Sequence, residues 1–232
     1  MSENKKLVDL TKKVKVVLDK KQIPNTKAQV GFAVDVSGSI EALYRRGTMQ
    51  SIINRLQAIA MRFDDNETLD MWCFDTAAHE LPPATPDLFD EYVNKHIMTK
   101  RGIWGGTKFA PALDLINKHY YTSNTPKGFF GKLFGKSKPV AKELPVYLVF
   151  LTDGENSDTK ETIALVDELE KHSIYIQFVG VGTGTNFSFI RRLAEEKGHV
   201  GFVDFSNPSV VTDEQMFEEL LNDEFVNWAK SI

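Results

Sequence analysis

Apolar residues along the chain fall into two patterns, short continuous runs and longer stretches with a helical period. Continuous runs occur in "QVGFAVD", "PVYLVFLTDG" and "IYIQFVGVG", as expected for strands that are buried on both faces of a parallel sheet. The segment "TLDMWCF" predicts a further strand, and "AAHELPP" predicts an antiparallel edge strand that Pro82 and Pro83 terminate.

Stretches with a helical period lie between and after these runs. They predict helices at residues 7–18, 40–63, 86–98, 159–172, 187–197 and 213–230, and a further helix that follows the turn glycines of "GGTKFAPALDLINKHYY" and carries Phe109, Leu113, Ile116 and Tyr120 on one stripe. The alternation of strands and helices predicts a three-layer α/β/α fold, doubly wound around a mostly parallel sheet with one antiparallel edge strand. In such folds ligands bind beyond the carboxyl ends of the strands, at the point where the strand order reverses.

The predicted domain organisation has two parts and one insertion. Residues 1–26 form an N-terminal helix packed on a domain that spans residues 27–232. The domain carries an insertion at about 122–144, whose core "TPKGFFGKLFGKSKPVAKE" holds five lysines, three glycines and three phenylalanines. Two interpretations stay open for it: a surface loop, or a segment at 127–138 that contacts a membrane surface or a protein groove.

Composition and charge exclude several classes of function. The net charge of −4 over 232 residues gives no basic surface for nucleic acid. Cys73 is the only cysteine, so a disulfide or a cysteine-based zinc site cannot form within one chain. The N-terminus lacks the apolar core of a signal peptide, and no apolar run approaches the roughly 20 residues of a membrane span, which predicts a cytoplasmic protein.

The sequence also lacks the motifs of common enzymes. No phosphate-binding loop, G-x-S-x-G nucleophile elbow or H-E-x-x-H zinc motif occurs, and the five histidines are scattered without metal-ligand spacing. Ser37 has no evident general base nearby in the sequence. The chain is therefore interpreted as a protein without enzymatic activity.

Oxygen-bearing side chains remain at several ends of strands and helices. Asp35, Ser37 and Ser39 lie where a strand leads into a helix, Thr107 precedes another helix, and Asp153 follows an apolar strand. Hydroxyl and carboxylate oxygens with few charges suit a hard divalent ion, and they suit Mg²⁺ better than zinc, with Ca²⁺ or Mn²⁺ as alternatives. The three side chains of D-x-S-x-S converge only if the segment curls into a loop, which Gly38 permits.

Each of these residues also has a purely structural interpretation. Ser39 and Thr107 can cap the helices that follow them, and Asp153 can initiate the turn "TDGE". Asp158, with Glu161 three residues later, predicts a capping box and is left out of the site. The convergence of the other residues favours a site.

These motifs resemble a known family. "DVSGS", the later "GGT" and the strand-terminal "TDG" resemble the metal-ion-dependent adhesion site of von Willebrand factor type A (vWA) domains. "FDDNETLDMWCFD", "NFSFIRRL" and "FVDF" are similar to the branch with bacterial TerF-type tellurium-resistance proteins and copine A domains. The resemblance covers roughly residues 5–230, and the insertion at 125–143 departs from the family pattern.

The resemblance implies roles for the site residues. Ser37, Ser39 and Thr107 would bind the metal through their hydroxyls, and Asp35 and Asp153 directly or through water. The implied function is a metal-dependent protein-interaction module, linked to tellurium resistance or stress response, in which a partner's Asp or Glu completes the metal's ligands. A Mg²⁺-dependent phosphohydrolase and a structural scaffold with a vestigial site are the alternatives.

Overall fold

A computed structural model describes residues 2–23, 27–64, 66–122 and 144–232, which are organised around a six-stranded sheet. Its order is β3-β2-β1-β4-β5-β6, and every neighbouring pair is parallel except β2 and β3. The strands are β1 (Gln29–Asp35), β2 (Leu69–Phe74), β3 (Ala78–Ala84), β4 (Val146–Thr152), β5 (Ile174–Val181) and β6 (Val200–Phe205). The predicted mostly parallel sheet with one antiparallel edge strand is confirmed. The predicted end of that strand at Pro82 and Pro83 is wrong, because β3 continues through both prolines to Ala84, as an edge strand permits.

Helices cover both faces of the sheet. They are α1 (Ser2–Lys20), α2 (Glu41–Arg45), α3 (Thr48–Phe63), α4 (Ala110–Asn117), α5 (Thr159–Leu169), α6 (Ser188–Glu196), α7 (Asp213–Leu220) and α8 (Asp223–Ser231). One apolar core joins α1, α3, α7 and α8 to one face, and a second joins α4, α5 and α6 to the other. Every residue of the central strands β4 and β5 is buried, which explains their continuous apolar runs.

Three predicted helices are wrong in their extent. The helix expected at 40–63 is interrupted at Gly47, which adopts a left-handed φ of 78° between α2 and α3. The helix expected at 213–230 is divided because the Asn222 side chain accepts the N–H of Phe225 and starts α8. Only a 3₁₀ turn at Pro86–Leu88 and a π-helical turn at Val93–Ile97 form within 86–98, since Asp90 between them has a φ of 64°.

The sixth strand, β6, was not among the predicted strands. Phe202 is half-buried and Asp204 is exposed, because β6 forms an edge of the sheet beside β5. The segment is therefore only partly apolar, and it lacks the continuous run that marks the central strands.

The N-terminal helix α1 contributes to the main core. Leu7, Leu10, Val14 and Val17 are buried there, and α1 lies against α3 and α7. Lys13 reaches across to Asp213 at the start of α7, with 2.8 Å between Nζ and Oδ2. The Lys/Gly/Phe-rich insertion and its segment 127–138 lie outside the described residues, apart from the flanking positions 122 and 144. Within the described ranges, no helix combines the length and apolar character that crossing a bilayer requires.

Candidate metal site

Three neighbouring parallel strands end at the candidate site. Asp35 is the last residue of β1, Asp153 directly follows β4, and Asp75 directly follows β2. Strand β1 lies between β2 and β4, and the chain leaves it first towards β2 and later resumes at β4. The strand order therefore reverses between β1 and β4, where ligands bind in folds of this type.

Hydrogen bonds bring residues from β1 and β4 together at this edge. The hydroxyls of Ser37 and Ser39 lie 3.2 Å apart, and the Ser39 hydroxyl donates to Oδ1 of Asp153 at 2.9 Å. The N–H of Ser37 donates to Oδ1 of Asp35 at 2.7 Å, so the chain curls back on itself directly after β1. Four of the five predicted ligands thus form one connected cluster.

Asp35 is fully buried at the base of this cluster. Its Oδ2 accepts the hydroxyl of Thr152 at 2.7 Å, and its backbone carbonyl accepts the hydroxyl of Tyr44 at 2.6 Å. Burial raises the pKa of the Asp35 carboxyl to about 6, against the opposing effect of hydrogen bonds from Ser37 and Thr152. Burial also raises the pKa of Asp153, although Ser39 donates a hydrogen bond to it.

Neither carboxylate has a basic partner within the part of the chain that the structure describes. Among the described residues, no lysine, arginine or histidine forms an ion pair with Asp35 or Asp153. Buried carboxylates are normally paired with a basic group or a metal ion. Asp35 and Ser37 are buried while Ser39 is exposed, so the cluster opens to solvent on the Ser39 side.

Thr107 lies in a loop that is bound directly to the β1 loop. The N–H of Gly38 donates to the carbonyl of Gly105 at 3.1 Å, and the N–H of Trp104 donates to the carbonyl of Val36 at 2.9 Å. Thr107 itself is fixed through its carbonyl, which accepts the N–H of Ser157 at 3.1 Å. The structure thus places the Thr107 loop beside the cluster. The Thr107 hydroxyl itself forms no hydrogen bond with the other four side chains, all of which the structure describes.

The backbone of this loop is strained at Trp104. Its φ of 79° is unusual for a bulky residue, and its ring packs edge-on against Tyr44 with centroids 5.4 Å apart. Strained residues of this kind concentrate at functional sites. No sequence pattern had marked Trp104.

The structure excludes the helix-capping interpretations of Ser39 and Thr107. Helix α2 has Ile40 at its N-cap, helix α4 has Phe109, and neither position makes a side-chain capping hydrogen bond.

The capping box expected for Asp158 is wrong. Asp158 precedes α5, but its carboxylate accepts the N–H groups of Phe109 and Ala110 at 3.0 and 2.9 Å. It therefore caps α4, across the fold, because that helix starts without a polar N-cap side chain of its own.

Two residues at the site were missed from the sequence, Asp75 and Thr152. Thr152 supplies a hydroxyl to Asp35, and Asp75 accepts the N–H of Gly105 in the Thr107 loop at 2.9 Å. A signal was present in the sequence, since "CFD" places an aspartate directly after β2, much as "AVD" places one at the last position of β1.

The chemistry of the donor set fits a hard divalent ion. Asp35, Ser37, Ser39, Thr107 and Asp153 offer only oxygen atoms, the donors that Mg²⁺, Ca²⁺ and Mn²⁺ prefer. Within the described part of the chain, no group of three or more His, Cys, Asp or Glu side chains is arranged to hold a metal. Metal binding at this edge would therefore depend on the hydroxyl groups as much as on the two carboxylates.

Comparison with known families agrees with this architecture. A family model described as "vWA found in TerF C terminus" matches residues 27–232. The chain belongs to the vWA-TerF-like family. Domains of the vWA type form a family of protein-interaction modules, and the resemblance read from the sequence motifs is confirmed at the level of the family.

Relatives of this vWA-TerF-like chain occur among curated proteins and solved structures. It is 31% identical over 231 residues to the uncharacterized protein YcbR of Bacillus subtilis (strain 168), covering 96% of this chain and 86% of YcbR. The manganese-loaded TRAP protein of Plasmodium vivax has a TM-score of 0.55 and 17% identity, covering 86% of this chain and 74% of that one.

A mussel byssus protein has a similar fold. Proximal thread matrix protein 1, whose metal-ion-dependent adhesion site (MIDAS) motif is occupied by zinc, superimposes with a TM-score of 0.53 and 19% identity, covering 85% of this chain. The vWA-TerF-like chain spans less than half, 45%, of that protein's length. At these identities the two solved structures establish the fold alone.

Proposed function

We propose that this protein is a divalent-metal-dependent protein-interaction module rather than an enzyme. Asp35, Ser37, Ser39, Thr107 and Asp153 would hold the ion, with Mg²⁺ as the expected metal and Mn²⁺ or Ca²⁺ as alternatives. The partner would be a protein that offers an Asp or Glu side chain to the metal. In a bacterial cell this binding would serve tellurium resistance or stress response.

One observation carries the proposal. The hydrogen bond from Ser39 to Asp153 joins two segments 114 residues apart, at the edge where Asp35 is buried and no described basic residue pairs with it. Side-chain oxygens that follow β1 and β4 thus lie together at one edge of the sheet, with two carboxylates that no described basic side chain pairs with. This arrangement is what a hard cation requires.

The carboxylates and the hydroxyls would contribute differently to metal binding. Asp35 and Asp153 supply charge that only just balances a divalent ion, while the serine and threonine hydroxyls add neutral ligands. A bound divalent ion supplies an electrophilic centre that attracts a further oxygen ligand. The exposure of Ser39 leaves access for a side chain from another protein. The hydroxyls of Ser37 and Ser39 contact each other, and Ser39 donates a hydrogen bond to Asp153. No described histidine or lysine forms a hydrogen bond with either hydroxyl, as a general base would.

The similar proteins support the proposed metal binding and the proposed link to tellurium resistance. Manganese is loaded in the Plasmodium vivax TRAP structure, and zinc occupies the MIDAS motif of the mussel protein. The family description refers to TerF, which supports the connection to tellurium resistance.

Metal binding is tested by calorimetric titration of the purified protein with Mg²⁺, Mn²⁺ and Ca²⁺. We expect one site per chain in the wild type and loss of binding in Ser39→Ala and Asp153→Asn. Asp204→Asn removes a carboxylate on β6 that pairs with Arg191, and this control should bind as the wild type does. Equal binding by all four proteins would refute the assignment of these ligands.

Partner binding is tested by affinity capture from the native host with wild type and Asp35→Ala, each with and without chelator. The same proteins should be lost with the variant and with the chelator. A deletion strain complemented with either form then tests the biological role. If Asp35→Ala restores tellurite resistance to the deletion strain as well as the wild type does, the role in tellurite resistance does not depend on the metal site.

A further inference from the structure

Asp75 is a buried carboxylate beside the site, and the protein backbone occupies both of its oxygens. It is 3% exposed and follows β2 directly. Its Oδ2 accepts the N–H of Gly105 at 2.9 Å, and its Oδ1 accepts the N–H of Ala77 at 3.0 Å. Both carboxylate oxygens of Asp75 are therefore engaged by neighbouring backbone N–H groups.

The backbone of Asp75 holds the same loop at a second point. Its carbonyl oxygen accepts the N–H of Lys108 at 2.8 Å. Gly105 and Lys108 flank Gly106 and Thr107, so Asp75 fixes both ends of the short segment that carries the Thr107 hydroxyl. The segment between two fixed ends has little freedom to move.

We propose that Asp75 is the positioning residue that holds Thr107 at the metal site. The inference rests on the metal-binding function proposed above and adds a residue that does not touch the ion. Metal ligands commonly depend on such outer partners for their orientation. Asp75 serves this role because a carboxylate accepts two N–H groups at once, whereas the side-chain oxygen of an asparagine cannot replace both acceptors.

The packing at Gly105 supports close contact between Asp75 and the loop. A Cβ atom at Gly105 would lie 3.0 Å from Oδ2 of Asp75 and 3.0 Å from Oγ1 of Thr76. At Gly106 the nearest atom, Cγ2 of Thr76, is at an ordinary 3.5 Å. A methyl group at position 105 would therefore press against the side chains of Asp75 and Thr76, while position 106 tolerates one.

The first test is the metal affinity of Asp75→Asn, measured by calorimetry with Mn²⁺ and Mg²⁺. We expect affinity to fall by about tenfold to a hundredfold, as is typical when an outer partner of a metal ligand is lost. Asp70→Asn is the matched control, since Asp70 is on the same strand and accepts the Tyr120 hydroxyl at 2.8 Å, far along β2 from the site. Its affinity should equal that of the wild type.

Coupling to Thr107 separates positioning from general destabilisation. Thr107→Ala should weaken metal binding, and Thr107→Ser, which keeps the hydroxyl, should largely restore it. If Asp75 acts through Thr107, then Asp75→Asn should weaken binding little further in the Thr107→Ala background. Fully additive losses in the double variant would overturn the inference.

Gly105→Ala provides a second variant that leaves the carboxylate in place, in case Asp75→Asn does not fold. It should reduce metal affinity through displacement of the loop, while Gly106→Ala should bind nearly as the wild type does. If the wild type binds the metal and both Gly105→Ala and Asp75→Asn bind it with the same affinity, this inference alone is overturned. Absence of metal binding by the wild type would overturn the proposed function and this inference together.

Discussion

Cys73 illustrates how position on a strand sets the chemistry of a single side chain. It lies near the carboxyl end of β2 with no exposed surface, and burial raises the pKa of its thiol to about 11. Because the thiolate is the reactive form, native protein at pH 8 should react with a thiol reagent at least about a hundredfold more slowly than protein unfolded in urea. Equal labelling rates in the two states would show that β2 opens readily.

Single residues also mark the limit of what the sequence could predict at the site. Asp35, Ser37, Ser39 and Asp153 were identifiable because each lies in a short motif at the end of an apolar strand. The role of Asp75 was not, because its hydrogen bond to Gly105 spans 30 residues and depends on how two loops meet.

Gly47 divides what the apolar pattern presented as one helix, and this difference can be tested. Its φ of 78° is accessible to glycine at little cost, and a Cβ there would meet no heavy atom within 4 Å. Gly47→Ala should therefore lower the free energy of unfolding by about 1 kcal/mol through backbone strain alone. Urea unfolding measures this change.

Gly198→Ala is the control for Gly47→Ala. A Cβ at Gly198 also meets nothing within 4 Å, and its φ is not in the left-handed region. It should change the free energy of unfolding by no more than about 0.5 kcal/mol. A similar loss in both variants would contradict the assignment of strain to Gly47.

Helical periodicity identified the apolar faces of the helices better than their ends. Both Ile40–Phe63 and the stretch 213–230 carry continuous helical patterns, because the helices on either side of each break bury their apolar residues in the same core. The breaks themselves depend on the φ of Gly47 and on the Asn222 side chain, which periodicity does not detect.

Asp213 joins three helices and makes the stability of the fold dependent on pH. Its carboxylate pairs with Lys13 of α1 and Arg55 of α3, each at 2.8 Å. Burial alone would raise the pKa of Asp213, but the hydrogen bonds and charges of Lys13 and Arg55 outweigh burial and lower it. The folded state therefore favours the ionised carboxylate more than the unfolded state does.

The sign of the effect follows from this lowered pKa. The stabilisation is fully present above the unfolded pKa, near pH 4, and is lost as the pH falls through the lower folded pKa. Asp213→Asn should reduce the free energy of unfolding by about 1–2 kcal/mol at pH 7. The difference from the wild type should shrink below about pH 4, measured by urea unfolding across a pH series. A difference that persists unchanged at pH 3 would exclude this ion pair as its source.

Across the whole molecule, the boundary of the family and the boundary of the core do not coincide. The family model begins at residue 27, whereas α1 ends at Lys20 and still supplies buried side chains to the main core. A domain of residues 27–232 alone would expose the apolar surfaces of α3 and α7 that α1 covers. Stability of the whole fold should therefore depend on side chains outside the matched region.

Paired substitutions on the two faces of α1 test this dependence within the full chain. Leu10 is 5% exposed, so Leu10→Ala should lower the free energy of unfolding by about 2–4 kcal/mol through lost burial and an unfilled cavity. Val16 on the same helix is 65% exposed, and Val16→Ala should change it by less than about 0.5 kcal/mol. The free energies of unfolding of both variants in urea show whether the buried face of α1 contributes to the stability of the core. Small losses from both would mean that the family boundary at residue 27 is also the boundary of the stable unit.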